Sequence, residues 1–393
     1  IWRQWEVVRG DEKRCRREVM KRMGRGAALC AVLVLGIAVQ AQAQGGVEYA
    51  AAPAGGEYED AIRQARLAID SLMRANNVPG VSIAVSVGGQ VVWSEGFGYA
   101  NVEQQTPVTP TTKFRIGSIS KPLTAAAMGL LYERGKLDLD APVQRYVPQF
   151  PEKAKGTITP RLLAGHLAGV RHYLPDGSDN FLTKRYENVE DALEIFADDT
   201  LNFVPGSKYQ YSSYGWNLLS VVVQSAAGER YLDYMRENVF RPLGMRNTVA
   251  DHTDSIIVGR TGFYVRTPGG FVVNAPYVDN SYKWAGGGFL STPEDLLRFA
   301  HAHMYGGLLK RETVELWWTP QVTTTGDTTS YGIGWSSGEW EGHRWVGHGG
   351  GSVGGNCRLV IFPAEKVVVA ITTNITGAGL RRIPERIAGM FMN

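Results

Sequence analysis

Gly117-Ser118-Ile119-Ser120-Lys121-Pro122 is the stretch around which the rest of the chain can be read. Ser118 and Lys121 stand three apart, so on a helix both side chains lie on one face, a turn apart. Downstream, Ala125-Ala126-Ala127 are strong helix formers, and Leu123, Ala127, Leu130 and Leu131 make an apolar stripe. Pro122 is tolerated only in a first turn, and Gly135 stands where a helix would close. The pattern predicts a helix over about 118–134 with Ser118 at its start, where backbone N–H groups are unpaired and the helix dipole favours negative charge. A serine there can attack a carbonyl while its own N–H helps hold the oxyanion, and Lys121 can take or stabilise the proton. Ser-x-x-Lys also arises by chance in a chain of 393 residues, so the spacing needs context.

Toward the N-terminus, residues 1–19 begin without Met, mix acidic and basic side chains and show no sustained period; they read as an extension upstream of a start at Met20 or Met23. Residues 20–43 read as a signal peptide: Lys21, Arg22 and Arg25, an apolar run from Ala27 to Val39, and Ala41-Gln42-Ala43 as a small-x-small cleavage site. That run is too short to span a bilayer. The expectation is an exported protein, periplasmic or secreted, touching a membrane only through this segment if it stays uncleaved. Residues 44–56 are small and read as a flexible tail, leaving 57–393 as the working domain.

The leader also carries the chain's positive charge. The whole sequence has 41 basic and 38 acidic residues, but residues 44–393 hold 32 and 34, a net charge of −2. No Lys/Arg cluster persists in the body, which excludes a nucleic-acid footprint. Of three cysteines, Cys15 and Cys30 precede the expected cut, so the remaining Cys357 has no partner for a disulfide and stability must come from the core. It sits in an apolar alternating run, as a buried thiol does.

Further along, Ala61 to Asn76 reads as an amphipathic helix, and Val81 to Val87, Gly88-Gly89 and Gln90 to Ser94 as a β-hairpin. Between about 137 and 282 long Pro-, Gly- and Asp-rich loops separate expected helices at Thr159–Leu163, Val189–Phe196, Tyr214–Ala227 and Tyr231–Phe240. Thr292-Pro293 starts another helix, running to about Tyr305. Strands follow at Tyr331–Ser336, Arg344–Val346, Cys357–Phe362 and Val367–Thr373, then a last helix at Leu380–Met392. The fold class expected is α+β: an antiparallel sheet built from both chain ends and flanked by helices, with an inserted, mostly helical subdomain.

Two stretches supply chemistry that Ser118 would need. In Phe203-Val-Pro-Gly-Ser-Lys-Tyr209-Gln-Tyr211-Ser212-Ser213, Tyr211 lies at the approach to a helix, where a phenol can relay protons. In Gly347-His348-Gly349-Gly350-Gly351-Ser352, read as lying between strand-like segments, glycines let a strand edge come close to a ligand. Together the three segments resemble the serine β-lactamase and penicillin-binding DD-peptidase superfamily, in its class C-like branch of peptidases, esterases and β-lactamases. Tyr277-Val-Asp-Asn-Ser-Tyr-Lys-Trp-Ala-Gly-Gly-Gly-Phe-Leu-Ser-Thr292 and His166-Leu-Ala-Gly-Val-Arg-His172-Tyr173 resemble its mitochondrial β-lactamase-like members. The resemblance spans nearly all of 57–393.

That resemblance implies Ser118 as nucleophile, Lys121 as the motif lysine, and Tyr211 as the second-motif tyrosine. It implies Ser213 where the family usually has Asn, and His348-Gly349-Gly350 as the third motif. It further implies an oxyanion hole from the N–H groups of Ser118 and Gly351, with Ser213, His348, Gly349 and Gly350 facing the substrate. Ser213 offers no amide and Gly349 no hydroxyl, so weak β-lactamase activity is expected beside intact acylation. His348, in place of a lysine, is expected to titrate near about 6.5 and to gather carboxylates as it charges. The segment between His172 and Asn188 is too short for a long regulatory insert.

The function expected is a serine hydrolase that forms an acyl-enzyme on peptide, ester or β-lactam-like substrates, with no cofactor and no metal. Its rivals are an esterase or lipase of the same fold and a non-hydrolytic penicillin or cell-wall-peptide receptor. Gly350-Gly-Ser352-Val-Gly354 and Gly349-x-Gly351-x-x-Gly354 imitate a nucleophile elbow and a dinucleotide loop, but a strand, not a helix, is expected after them. His301 and His303, two apart on a helix, face different ways, and His166 and His172 read as loop and core hydrogen-bonders. Asn374-Ile-Thr376 forms a glycosylation sequon.

Overall fold

Helix α1 (Glu59–Ala75) opens the part of the chain that the computed structural model describes, residues 56–392. The expected upstream extension, signal peptide and nearly all of the tail lie outside the described residues. Glu59 and Asp60 in the first turn and Arg74 in the last complement the dipole of α1. Its apolar face buries Ile62, Ile69 and Leu72, each such side chain contributing about 1.5–3 kcal/mol. Strands β1 (Gly80–Val87) and β2 (Gln90–Asn101) form the expected hairpin around Gly88-Gly89, and β3 (Thr106–Pro107) edges it. Strand β4 (Phe114–Arg115) leads into a 3₁₀ turn, Gly117–Ile119, and so into α2 (Ser120–Glu133). Residues 120–131 of α2 are buried on every side, not only along a stripe, which is why small alanines fill it.

Helix α3 (Pro160–Ala164) starts at Thr159, whose side chain accepts from Leu162 N–H. Helix α4 (Ser213–Ala227) starts at Ser212, which accepts from Gly215 N–H, and closes on left-handed Gly228. Helix α5 (Tyr231–Tyr234) continues as a π-helical turn over Met235–Phe240. Short strands β5 (Val249–Ala250), β6 (Tyr264–Arg266) and β7 (Val272–Asn274) precede α6 (Trp284–Gly287) and β8 (Phe289–Ser291). Helix α7 (Pro293–Tyr305) has the expected Thr292 cap, and α8 (Arg311–Trp318) follows it. Strands β9 (Ser336–Trp340), β10 (His343–Ser352), β11 (Gly355–Phe362) and β12 (Val367–Thr373), then α9 (Ile383–Gly389), complete the chain.

The main sheet has seven strands in the order β3-β2-β1-β12-β11-β10-β9. Every pairing is antiparallel, and the two chain ends meet at its centre, Val81 opposite Thr373 and Val87 opposite Val367. Period-two alternation sorts β12 between two cores: Val368 and Ala370 face the layer of α2, α4 and α7, while Val367, Val369 and Ile371 face α1 and α9. The α+β architecture expected from the sequence is the one observed.

Four details differ. The strand expected at Tyr331–Ser336 begins only at Ser336, because Gly334 has φ +80° and Gly332 is pressed against Trp317 O. The helix expected at Val189–Phe196 is reduced to a 3₁₀ turn, Asp191–Ile195. Helix α8, which carries no Ser, Thr, Asn or Asp cap, had no start signal and went unread. The region about 137–282, expected to be mostly helical, has one long helix, α4, among turns, loops and the short strands β5 to β7. It clusters with the other described residues, 56–392, in one compact unit.

Candidate active site

Gly117 takes φ +47°, and a Cβ on it would lie 2.4 Å from Gly351 O. A side chain is thereby excluded, and the turn carrying Ser118 backs directly onto β10. Ser118 is half-buried at the entrance to α2. One helical turn on, Lys121 is fully buried and its Nζ donates to Ser118 Oγ (3.0 Å), Ser213 Oγ (3.2 Å) and Gly286 O (2.7 Å). No carboxylate pairs with it among the described residues. Burial, reinforced by the nearby charge of Lys283, holds the Lys121 ammonium well below the ordinary lysine range. A partly neutral amine beside a serine hydroxyl is a base in contact with a nucleophile.

Tyr211 completes the contact, its hydroxyl hydrogen-bonded to Ser118 and its ring 4.9 Å from Lys121 Nζ. Burial raises its phenol above the usual range, so it remains protonated and able to donate. The backbone around it is pinned by two imidazoles. Ser212 N–H donates to His166 Nδ1 and Ser213 N–H to His172 Nδ1, each at 3.1 Å. Accepting there keeps both rings neutral, and burial pushes His172 down to about 4 and His166 well below its usual value. His166 adopts φ +62°, a strained position for a residue with a Cβ, and its ring centroid is 4.2 Å from that of Tyr211. The hydrogen-bonding role expected for these histidines is thus specific: they orient the entry to α4.

The third segment lies within β10 rather than between strands. His348 is 4% exposed, with Nδ1 2.6 Å from Gly349 O and Nε2 2.8 Å from the Tyr331 hydroxyl. The carbonyl requires the proton on Nδ1, so Nε2 accepts from Tyr331 and the ring has no spare donor. Burial, with Lys121 adding to it, drops its pKa to about 3. The expectation that His348 titrates near neutrality and gathers carboxylates is therefore corrected: it is a neutral, doubly bonded core histidine. Ser213, expected to face substrate, is 2% exposed and holds Lys121 instead. Gly350, also expected there, points inward, where a Cβ would lie 1.9 Å from Ile116 O and 2.5 Å from Cys357 Sγ. Gly349 is half-exposed and Gly351 exposed, with open space at its Cβ position, so these two line the open side of the strand.

The remaining candidates resolve as structure. Cys357 is buried, donates to Ile116 O (2.8 Å), and has its thiol pKa pushed up by burial. His301 bonds Ser86 Oγ while His303 bonds Phe299 O. Asn374 is fully buried, donating to Tyr99 O and Thr261 Oγ1, so the sequon offers no amide to a glycan. The segment after Ser352 is strand β11, which removes both glycine decoys. Among the described residues no cluster of His, Cys, Asp or Glu is placed to hold a metal ion, and no helix is long and apolar enough to cross a membrane. Gly286 O, Tyr331 and the Tyr211-orienting role of the two histidines were not read from the sequence, for each depends on contacts between distant segments.

Comparison with known proteins matches residues 65–388 to the β-lactamase family model. The mouse serine beta-lactamase-like protein LACTB, mitochondrial, is 34% identical over 460 aligned residues, covering 89% of this chain and 83% of that protein. Among solved structures, the octameric penicillin-binding protein homologue from Pyrococcus abyssi superposes with a TM-score of 0.72 at 28% identity, over 84% of this chain and 76% of that one. The D-amino acid amidase from Ochrobactrum anthropi superposes with a TM-score of 0.74 at 22% identity, over 84% and 98% of the two chains.

Proposed function

The chain belongs to the β-lactamase family, and we propose that it is a serine hydrolase working through an acyl-enzyme on Ser118. The observation that carries this reading is the buried, carboxylate-free Lys121 with Nζ 3.0 Å from Ser118 Oγ. As Ser118 Oγ bonds to the substrate carbonyl, Lys121 takes the hydroxyl proton. The N–H groups of Ser118 and Gly351 hold the oxyanion, since the Gly117 turn lies against the Gly351 peptide. Tyr211, bonded to Ser118, passes a proton to the leaving amine or alcohol as its bond to carbon breaks. A water then attacks the acyl carbon, gives its proton to the same pair, and frees Ser118.

Peptide (amide) or ester bonds are the proposed substrates, with weak turnover of β-lactams. Two observations support that choice. His348 brings no positive charge to β10, and the Arg358 guanidinium of neighbouring β11 is bonded to Glu385. A lactam carboxylate thus finds no cationic side chain among residues 347–352 of β10. Export to the periplasm or medium is proposed on the leader-like residues 20–43 alone.

Time courses with neutral esters, amides and penicillins test the reading. Sustained turnover of an ester or amide, lost in Ser118→Ala, is expected. One equivalent of product followed by no further turnover on any substrate would overturn it in favour of a receptor that acylates once.

A further inference from the structure

Beside the small three-stranded sheet β4-β8-β5, the surface opens into a cavity of about 430 Å³. Val249 and Phe289 of that sheet line it, with Leu232 of α5, Phe240 of the π-helical turn and residues 255–258 of the following loop. Its volume is within the range of about 300–1,000 Å³ usual for small-molecule sites. Neither Ser118, Lys121, Tyr211 nor any glycine of β10 lines it, so it is a second site. Only the backbone of Phe289 links the two: its carbonyl accepts from Ile116 N–H (3.1 Å) and its N–H donates to Ser120 Oγ (3.4 Å).

The lining is apolar, and the loop at its rim leaves Ile256 98% and Val258 82% exposed. Branched apolar side chains exposed together beside an apolar cavity mark a binding surface, where single scattered ones would not. Charge narrows the ligand. The ionisable groups that line the cavity are Lys113, Arg236 and His252, and no carboxylate lines it among the described residues. Arg236 is already engaged by Asp233 (3.0 Å) and Glu237 (2.9 Å), and burial lowers the pKa of His252 from its ordinary value. Lys113 is half-buried, and its Nζ donates to Asn247 Oδ1 (2.9 Å) and, at the rim, to Val258 O (3.0 Å). An ammonium has three donors, so one is unspent. Asp295, the acid whose charge Lys113 feels, is committed to Asn247 N–H (2.7 Å), Thr248 Oγ1 (2.9 Å) and Arg298 (2.8 Å).

We propose that this cavity binds a free fatty acid, its chain between Leu232, Phe240, Phe289 and the 255–258 loop and its carboxylate on the unspent donor of Lys113. The site is independent of what Ser118 does. A charge-assisted hydrogen bond at the mouth of an apolar cavity gives at least tenfold preference for the acid over a neutral alcohol of equal length.

Calorimetry on the full chain with decanoate, decan-1-ol and acetate tests it. Decanoate should bind at one equivalent per chain and at least tenfold more tightly than decan-1-ol, while acetate, which has no chain to bury, should give no heat. Lys113→Met should bring decanoate down to the level of decan-1-ol, and Lys113→Arg should restore the preference. Ile256→Ser, at a side chain exposed enough to spare the fold, should weaken both long-chain ligands. Equal affinity for decanoate and decan-1-ol in the parent, or no binding of decanoate, would overturn the assignment. So would decanoate binding unchanged in both Lys113→Met and Ile256→Ser, which would place the ligand elsewhere, the Ser118 cleft included. If Lys113→Met weakens decanoate and decan-1-ol equally and Lys113→Arg rescues neither, Lys113 is only a strut for the loop and the proposal fails. A dimer seen by sedimentation without ligand and lost in Ile256→Ser would give the patch to a second copy of the chain, again against the proposal.

Discussion

His348 shows how far a residue's chemistry depends on what surrounds it. As free imidazole it would titrate near about 6.5 and switch within the physiological range. Buried between Tyr331 and its own neighbour's carbonyl, it is held at about 3, so the folded state stays neutral down to that pH while the unfolded chain protonates below about 6.5. Its contribution to stability is unaffected above about pH 6.5 and is lost as pH falls from there toward 3. Nitrogen-15 NMR of labelled imidazoles should find the Nδ1–H tautomer of His348 with no titration between about pH 5 and 8; a midpoint near 6.5 would contradict this. Ser118, Lys121 and Tyr211 were legible in the sequence because a nucleophile, a base and a phenol announce themselves by type and spacing. The roles of His348, Ser213 and Gly350 were not, because each is decided by whether a side chain points to the cleft or to the core. Lys283 stood inside a quoted motif, yet only the fold reveals that its ammonium is buried against the rings of Tyr173 and Tyr282.

At the scale of elements, the site depends on the contact between β10 and the turn that begins α2. Both sides of that contact are glycine for steric reasons. Gly117 needs a positive φ, and Gly350 leaves no room for a methyl between Ile116 O and Cys357 Sγ. Gly350→Ala should force the strand from the Ser118 turn, costing about 1–3 kcal/mol of stability and lowering kcat/KM by more than the stability loss explains. Gly351→Ala, with no atom near its Cβ position, should keep the melting temperature of the parent. Calorimetry on the two variants checks the contrast, and equal melting temperatures would refute this account of the contact. Elements with strong punctuation were legible: Thr292-Pro293 for α7, Gly88-Gly89 for the first hairpin, Gly228 for the end of α4. Tyr331–Ser336 misled because its apolar alternation is interrupted by glycines with tertiary duties, and α8 because tertiary packing of Trp317 and Trp318, not a cap, holds it.

For the whole molecule, the sheet joins what the sequence separates most. β1 and β12 lie side by side, so the N-terminal hairpin and the C-terminal strands form one surface against which α2 is fixed. Alternation along β1, β11 and β12 made that sheet legible, whereas nothing local specified that His166 and His172 after α3, Tyr331 before β9 and Gly286 in α6 would converge on Ser118 and Tyr211. The convergence leaves one half-buried hydroxyl in contact with a lysine whose burial lowers its pKa, and that arrangement is the central claim. Peptide mass mapping after incubation with a fluorophosphonate tests it most directly. One adduct per chain on the peptide containing Ser118, absent from Ser118→Ala, is the predicted result; an adduct on another serine, or undiminished labelling of Ser118→Ala, would contradict it.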